Sequence, residues 1–239
     1  MANSIQKLNE DWCREYISEY VFKLRPEEYQ NQHPIWPGSV GLEVEMLPVI
    51  AQSDGLPPKL VPLQGHSNTL ASCLKRLSLK NNWHFHEQPG PKGDGDLLIK
   101  VAMERGDALT FEPGGQLEFS SVPYPCLGDA VKRLHTVQDE LKKSLGECGI
   151  SLLQIGQNPF YGVDEVGLQM PKERYQAMDQ YFSNIGPWGQ RMMRLTCTLQ
   201  VCLDFGPHET IMAQRYILGQ LLAPFATAIF ANSPFFQEI

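Results

Sequence analysis

Apolar and polar positions alternate most cleanly over Val40–Met46, where Val40, Leu42, Val44 and Met46 interleave with Gly41, Glu43 and Glu45. A period of two predicts a half-buried strand, with both carboxylates leaving on one face. Gln116–Ser120 alternates likewise, with Gln116, Glu118 and Ser120 on one face and Leu117 and Phe119 on the other. Arg191–Phe205 reads as a long strand, with Arg194, Thr196, Thr198, Gln200, Cys202 and Asp204 on its polar side. Shorter strands are expected at Trp83–Glu87, Leu97–Met103, Ala108–Phe111 and Ser151–Gly156.

Helical spacing marks Asp11–Leu24, predicted to cover a sheet and to stop at Pro26, then His66–Lys80 with Leu70, Leu74 and Leu77 on one side. A longer stripe runs through Leu127, Ala130, Val131, Leu134, Val137, Leu141 and Leu145 within Cys126–Cys148. Two further helices are expected, one after Met170-Pro171 to about Asn184, ended by Gly186-Pro187-Trp188-Gly189, and one over Thr210–Asn232 with a kink at Pro224. Pro26–Pro37 and Pro89–Asp96 read as loops, the second a hairpin-like or mobile connection without the spacing of a phosphate-binding loop. With no repeat or clear linker, the pattern predicts a single α+β domain over 1–239, built on a mainly antiparallel sheet with a concave wet face and flanking helices.

Composition narrows the function classes. The chain has 239 residues, 42% of them hydrophobic, enough for a sizeable core. A net charge of −7 without a long Lys/Arg cluster argues against a nucleic-acid binder. No apolar run approaches the ~20 residues that span a bilayer, so a cytoplasmic chain is expected. Its six cysteines show no C-x-x-C spacing and are expected to be reduced thiols.

The candidate chemistry lies in the acids. Two like charges about 7 Å apart on a strand face repel, and a hard divalent cation is one reason for them to coexist; a solvated outer face is the other. Glu112 opens the turn Glu112-Pro113-Gly114-Gly115, a tight reversal that can bring it near Glu118, or leave a plain hairpin with exposed acids.

Taken together, Gly41-Leu42-Glu43-Val44-Glu45, Thr110-Phe111-Glu112-Pro113-Gly114-Gly115-Gln116-Leu117-Glu118-Phe119-Ser120 and Met170-Pro171-Lys172-Glu173-Arg174-Tyr175 resemble glutamate–cysteine ligases of the plant and proteobacterial type. Met192-Met193-Arg194-Leu195-Thr196-Cys197-Thr198-Leu199-Gln200-Val201 and Phe225-Ala226-Thr227-Ala228-Ile229-Phe230-Ala231-Asn232-Ser233-Pro234-Phe235 are similar to later signatures of that family. The resemblance implies a glutamine-synthetase-like catalytic fold. It also implies an N-terminal portion, since relatives continue well past this last segment. At Cys202 the chain departs from the Asn of most relatives.

The implied reaction uses ATP to phosphorylate the γ-carboxylate of L-glutamate, and the amine of L-cysteine then attacks to give γ-glutamylcysteine. By the same resemblance, Glu43, Glu45, Glu112 and Glu118 are candidate Mg²⁺ ligands and Gln200 a further site ligand. Arg174 and Arg194 are candidate grips for carboxylate or phosphate, a structural ion pair being the other reading of Arg194. Thr196, Thr198 and Gln116 are candidate substrate contacts. His33, His66, His84, His86, His135 and His208 are expected to be non-catalytic. Two other readings stay open: a carboxylate–amine ligase with another acceptor, and a non-catalytic metal- or nucleotide-binding relative.

Overall fold

A computed structural model describes residues 9–22, 38–53, 55–65, 69–90 and 96–231. The chain divides into two compact units, residues 1–39 with 203–231 and residues 40–202 with 232–239. The expected loop Pro26–Pro37 lies outside the described residues, as do His33, His66 and the segment from Asn232 onward.

In the first unit, helix α1 (Glu10–Tyr16) starts at Asn9, whose side chain accepts from the Trp12 N–H at 2.7 Å, and Glu10 and Asp11 place negative charge in its first turn. A π-helical turn, Ile17–Val21, continues it. Trp12, Tyr16 and Tyr20 recur every four residues and stack at 5.1 and 4.7 Å, but no side chain of the helix is buried, contrary to the expected sheet cover. The unit's later part holds a long helix, Glu209–Phe230, with Pro224 inside it. Phe22 packs on Phe205 and Tyr216, and Ser39 accepts from the Asp204 N–H at 3.0 Å.

The second unit carries the sheet. Its strands in chain order are β1 (Val40–Ile50), β2 (Lys59–Leu60), β3 (His84–Pro89), β4 (Asp96–Ala102), β5 (Ala108–Phe111), β6 (Leu117–Ser120) and β7 (Ser151–Leu153), and β8 (Leu199–Leu203) completes it. The order is β2-β1-β6-β5-β4-β3, with β7 and β8 also on β1. β1 is the hub: Glu43–Met46 pair with β6, Leu47–Val49 with β7 and Val49–Ile50 with β2, all antiparallel. Pro48 falls in the half that has changed partners, where strict alternation of burial also ends. β3 and β4 pair to Pro89↔Asp96, so the glycine-rich connection joins a hairpin, though residues 91–95 lie outside the described set.

Helices α2 (Leu70–Asn81) and α3 (Leu127–Gly146) bury their apolar stripes against the sheet. α2 begins at Leu70 because Thr69 and Ser72 cap each other, Ser72 N–H to Thr69 Oγ1 at 3.2 Å and Thr69 N–H to Ser72 Oγ at 3.0 Å. Leu74 and Leu77 of α2 and Leu134, Val137, Leu141 and Leu145 of α3 share one core with Leu42, Val44, Met46, Phe111, Leu117 and Phe119. Each fully buried side chain of this size contributes about 1.5–3 kcal/mol. The stripe holds except at the first turn, where Leu127 is exposed, and at Val131, which is half-buried.

The third predicted strand is where the pattern misleads. Residues Pro187–Leu195 form a helix, and β8 covers only Leu199–Leu203, exposed along its whole length. Gly186 at φ +148° and Pro187 at the first helical position start a helix at the spot read as a stop. Arg194 therefore sits on a helix, not on one strand face with Thr196, Thr198 and Gln200. Among the described residues no helix is long and apolar enough to cross a membrane.

Candidate functional site

β1 and β6 pair in a register that sets Glu45 directly opposite Glu118 and Glu43 opposite Ser120. Side chains opposite one another on paired strands share a face, with Cβ atoms about 5 Å apart. β5 adds Thr110 opposite Glu118, whose Oε2 accepts from the Thr110 hydroxyl. Glu43, Glu45, Thr110, Glu118 and Ser120 are all half-buried, whereas Leu42, Val44, Leu117 and Phe119 on the other face are buried. Glu112 joins this polar face from the end of β5.

The turn that presents Glu112 is closed from two sides. Glu112 N–H donates to Gln116 O at 3.0 Å and Gly115 N–H to Glu112 O at 2.9 Å, with Gly115 at φ +84°. The carboxamide of Gln169 accepts from Leu63 N–H at 2.8 Å and donates to Gly114 O at 3.1 Å, while Gln169 N–H donates to Pro113 O at 2.8 Å. The backbone of Arg194 presses on Gly114 so closely that a Cβ there would stand 2.1 Å from Arg194 O. Only glycine fits.

The charge of Glu118 bears on each of the other three acids. Burial pushes Glu43 and Glu112 above the ordinary carboxylate value, and the charge of Glu118 pushes each further. Burial raises Glu45 too, with Glu118 adding to the rise. Thr198, donating through its N–H at 2.9 Å and its hydroxyl at 2.8 Å, and the Gln200 amide pull it back. Glu118 is the charge common to all three. Positive groups stand at the Glu112 end. Helix Glu173–Ser183 begins there, and the Tyr175 hydroxyl, 3.3 Å from Glu112 Oε1, accepts from Arg174 Nη2 at 2.6 Å. Lys172 lies over the Tyr175 ring at 5.4 Å, its pKa lowered by burial and by Arg174 and partly restored by Glu112 and Glu118.

Not every expected site residue reaches this face. Arg194 is buried in an ion pair with Asp179, 2.5 Å away, and donates to Val163 O at 3.2 Å. Gln116 is buried and donates to Thr196 O at 2.8 Å, its own Oε1 lacking a partner among the described residues. The Thr196 hydroxyl donates to Met192 O at 2.6 Å, closing the last turn of the helix before it. Gln116 and the Arg194 backbone tie the Pro187–Leu195 helix to the turn, and the Arg194 side chain ties it to Asp179 and Val163. By contrast, Thr198 and Gln200 are exposed beside Glu45, Gln200 donating to Thr198 Oγ1 at 3.0 Å. Sequence reasoning assigned no role to Thr110, Lys172, Tyr175 or Gln169. The first three stand inside the motifs quoted above, beside residues that were chosen.

Among the described residues, no three of His, Cys, Asp and Glu gather closely enough to enclose a metal ion by themselves. The donor set still suits a hard cation of the magnesium type, which takes one or two carboxylates and fills its other positions with water and substrate phosphate. Glu43, Glu45 and Glu112, raised by burial and by the charge of Glu118, would be relieved by such a positive charge.

A family model described as glutamate–cysteine ligase family 2 matches residues 39–238. A chloroplastic glutamate–cysteine ligase of Nicotiana tabacum is 37% identical over 142 residues, 59% of this chain and 27% of that protein. Its counterpart in Arabidopsis thaliana matches to the same extent, and chloroplastic glutamate–cysteine ligase A of Oryza sativa subsp. japonica is 38% identical over 147 residues, 59% of this chain and 30% of that protein. The matched part of the chain thus corresponds to less than a third of the length of these relatives.

Proposed function

Because the chain belongs to glutamate–cysteine ligase family 2, we propose that it carries the acidic face of an ATP-dependent ligase joining the γ-carboxylate of L-glutamate to the amine of L-cysteine. The observation that carries this reading is the β1–β6 register, which sets Glu45 against Glu118 and lines Glu43 and Glu112 up with them on one half-buried face.

Forming an acyl phosphate from a carboxylate and ATP brings two anions together, so the protein's main task is to neutralise and orient charge. Among Glu43, Glu45, Glu112 and Glu118, one or two carboxylates at a time would hold Mg²⁺, and the ion would supply the positive charge that phosphoryl transfer needs. Thr198 and Gln200 fix one carboxylate of that set by hydrogen bonds to Glu45. Tyr175 orients another by its contact with Glu112. Arg174 and Lys172 add positive charge where an anionic substrate group would meet the acids. Arg194, Gln116 and Thr196 act through the scaffold: Gln116 holds the turn that presents Glu112 to the Thr196 backbone, and Arg194 fixes the helix packed against that turn.

The test is phosphate release from Mg-ATP by the purified 239-residue chain with glutamate, with and without cysteine, beside Mg-ATP binding by calorimetry. Cysteine-dependent release is expected. Release indifferent to cysteine would overturn cysteine as acceptor, and Mg-ATP binding unchanged in Glu118→Gln would overturn the carboxylate assignment.

A further inference from the structure

The core-facing side of β1 carries helices α2 and α3, and between them lies a feature the ligase reading does not use. A cavity of about 250 Å³ opens there, lined by Cys73, Arg76 and Lys80 from α2 and by Ser144, Glu147 and Cys148 from the end of α3 and the turn after it. One guanidinium nitrogen, Nη2 of Arg76, donates to Cys73 Sγ at 3.2 Å and to Cys148 Sγ at 3.0 Å. Two sulfurs on one nitrogen are at most about 6 Å apart, so the two thiols are neighbours across the cavity. Cys148 sits in that turn, one residue before Gly149 at φ +74°, rather than in a helix.

The two thiols differ in access. Cys73 is buried at 3% exposure, whereas Cys148 is half-buried at the cavity. The lining also has a charge bias: Arg76 and Lys80 face one acid, Glu147. A guanidinium on both sulfurs favours whichever becomes a thiolate. Two basic side chains at the opening favour a visitor with carboxylates.

We propose that Cys73 and Cys148 form a thiol–disulfide exchange pair whose substrate is the disulfide of a small anionic thiol. Cys148, its proton lost to solvent, attacks one sulfur of that disulfide; the S–S bond breaks, one small thiolate leaves, and a mixed disulfide remains on Cys148. The Cys73 thiolate then attacks the Cys148 sulfur and expels the second small thiol, closing a Cys73–Cys148 disulfide. Two protein thiols are oxidised by two electrons and one small disulfide is reduced to two thiols, so the step balances without another oxidant. Burial and the adjoining Cys73 thiol push the Cys148 pKa up while Arg76 pulls it down, which makes the exchange slow at neutral pH and faster in mild alkali. The inference stands apart from the ligase reading, since none of its residues belongs to the acidic face.

The experiment incubates the reduced full chain with oxidised glutathione at mildly alkaline pH, quenches with acid, and maps cysteine peptides by mass spectrometry. A Cys73–Cys148 linked peptide is expected. Cys73→Ser should accumulate a glutathionyl group on Cys148, Cys148→Ser should leave Cys73 free, and Arg76→Gln with Lys80→Gln should cut the preference for oxidised glutathione over cationic cystamine by about tenfold. The exposed Cys126 and Cys202 serve as internal references. Cys73 and Cys148 still free when those references are modified would overturn the proposal. So would equal rates with the two disulfides in the unmutated chain, or a link that forms only in denaturant.

Discussion

Arg194 shows how far one residue's role depends on its neighbours. Its guanidinium is buried against Asp179, and the backbone of the same residue packs on Gly114. Removing the partner from a buried charge is costlier than the pair is worth, because the remaining charge stays desolvated. Asp179→Ala is therefore expected to lower stability by about 3 kcal/mol in urea denaturation, with Arg194→Lys moving the same way. A stability change near zero, together with weakened glutamate or Mg-ATP binding, would instead make Arg194 a substrate contact. Cys197 makes a second case. Burial, and then the charge of Glu45, push its thiol up to about 12, so the folded state holds a proton that an unfolded chain loses near its ordinary value of 9.0. Stability from this group is fully present below that value and is lost as pH rises from there toward 12. At pH 8.5 Cys197 should resist alkylation in the folded chain while Cys126 and Cys202 react, and the slope of stability above pH 9 should be shallower in Cys197→Ala.

At the scale of elements, the sheet and its two covering helices were legible because burial there follows one rule per element. β1 and β6 alternate, α2 and α3 carry stripes, and the structure buries those same positions apart from Leu127 and Val131. The Pro187–Leu195 helix was not legible as a helix. Arg194, Thr196, Thr198 and Gln200 alternate in the chain, but the first of them is buried by an acid 15 residues away, which no local pattern signals. Glu43 and Glu45 were readable as one strand face and Glu118 as part of another, but only the family resemblance joined them with Glu112, and their contacts with Tyr175, Thr198 and Lys172 depend on elements distant in sequence. Leu141, fully buried in α3, should cost about 2–5 kcal/mol on truncation to Ala, read as a shifted denaturation midpoint at constant slope. The Glu112–Gln116 turn allows a sharper comparison. Gly114→Ala drives a methyl into Arg194 O and should both destabilise the chain and weaken Mg-ATP binding. Gly146→Ala, at the end of α3 with nothing within 4 Å of the added carbon, should stabilise by about 0.5–1 kcal/mol and leave binding alone.

For the molecule as a whole, 27 acids against 20 bases leave a net charge of −7, and four of those acids crowd one side of the sheet. Hydrogen bonds from Thr110, Thr198 and Tyr175 hold Glu118, Glu45 and Glu112 in place but cancel none of their charge, and under the proposed function a cation would relieve the repulsion that remains. Replacing the shared charge should therefore act in opposite directions with and without ligand. In EDTA, Glu118→Gln removes a like charge directly across from Glu45 and is expected to raise stability by about 0.2–1 kcal/mol. With Mg-ATP at a hundred times its dissociation constant, the unmutated chain gains about 2.7 kcal/mol by mass action, and the variant loses most of that gain because its site binds less well. Thermal melting in the two conditions should show the order of the two proteins reversing. If the variant melts lower in both, Glu118 is a structural acid held by Thr110; if it melts higher in both, the four carboxylates repel one another but do not take up the metal-bound nucleotide.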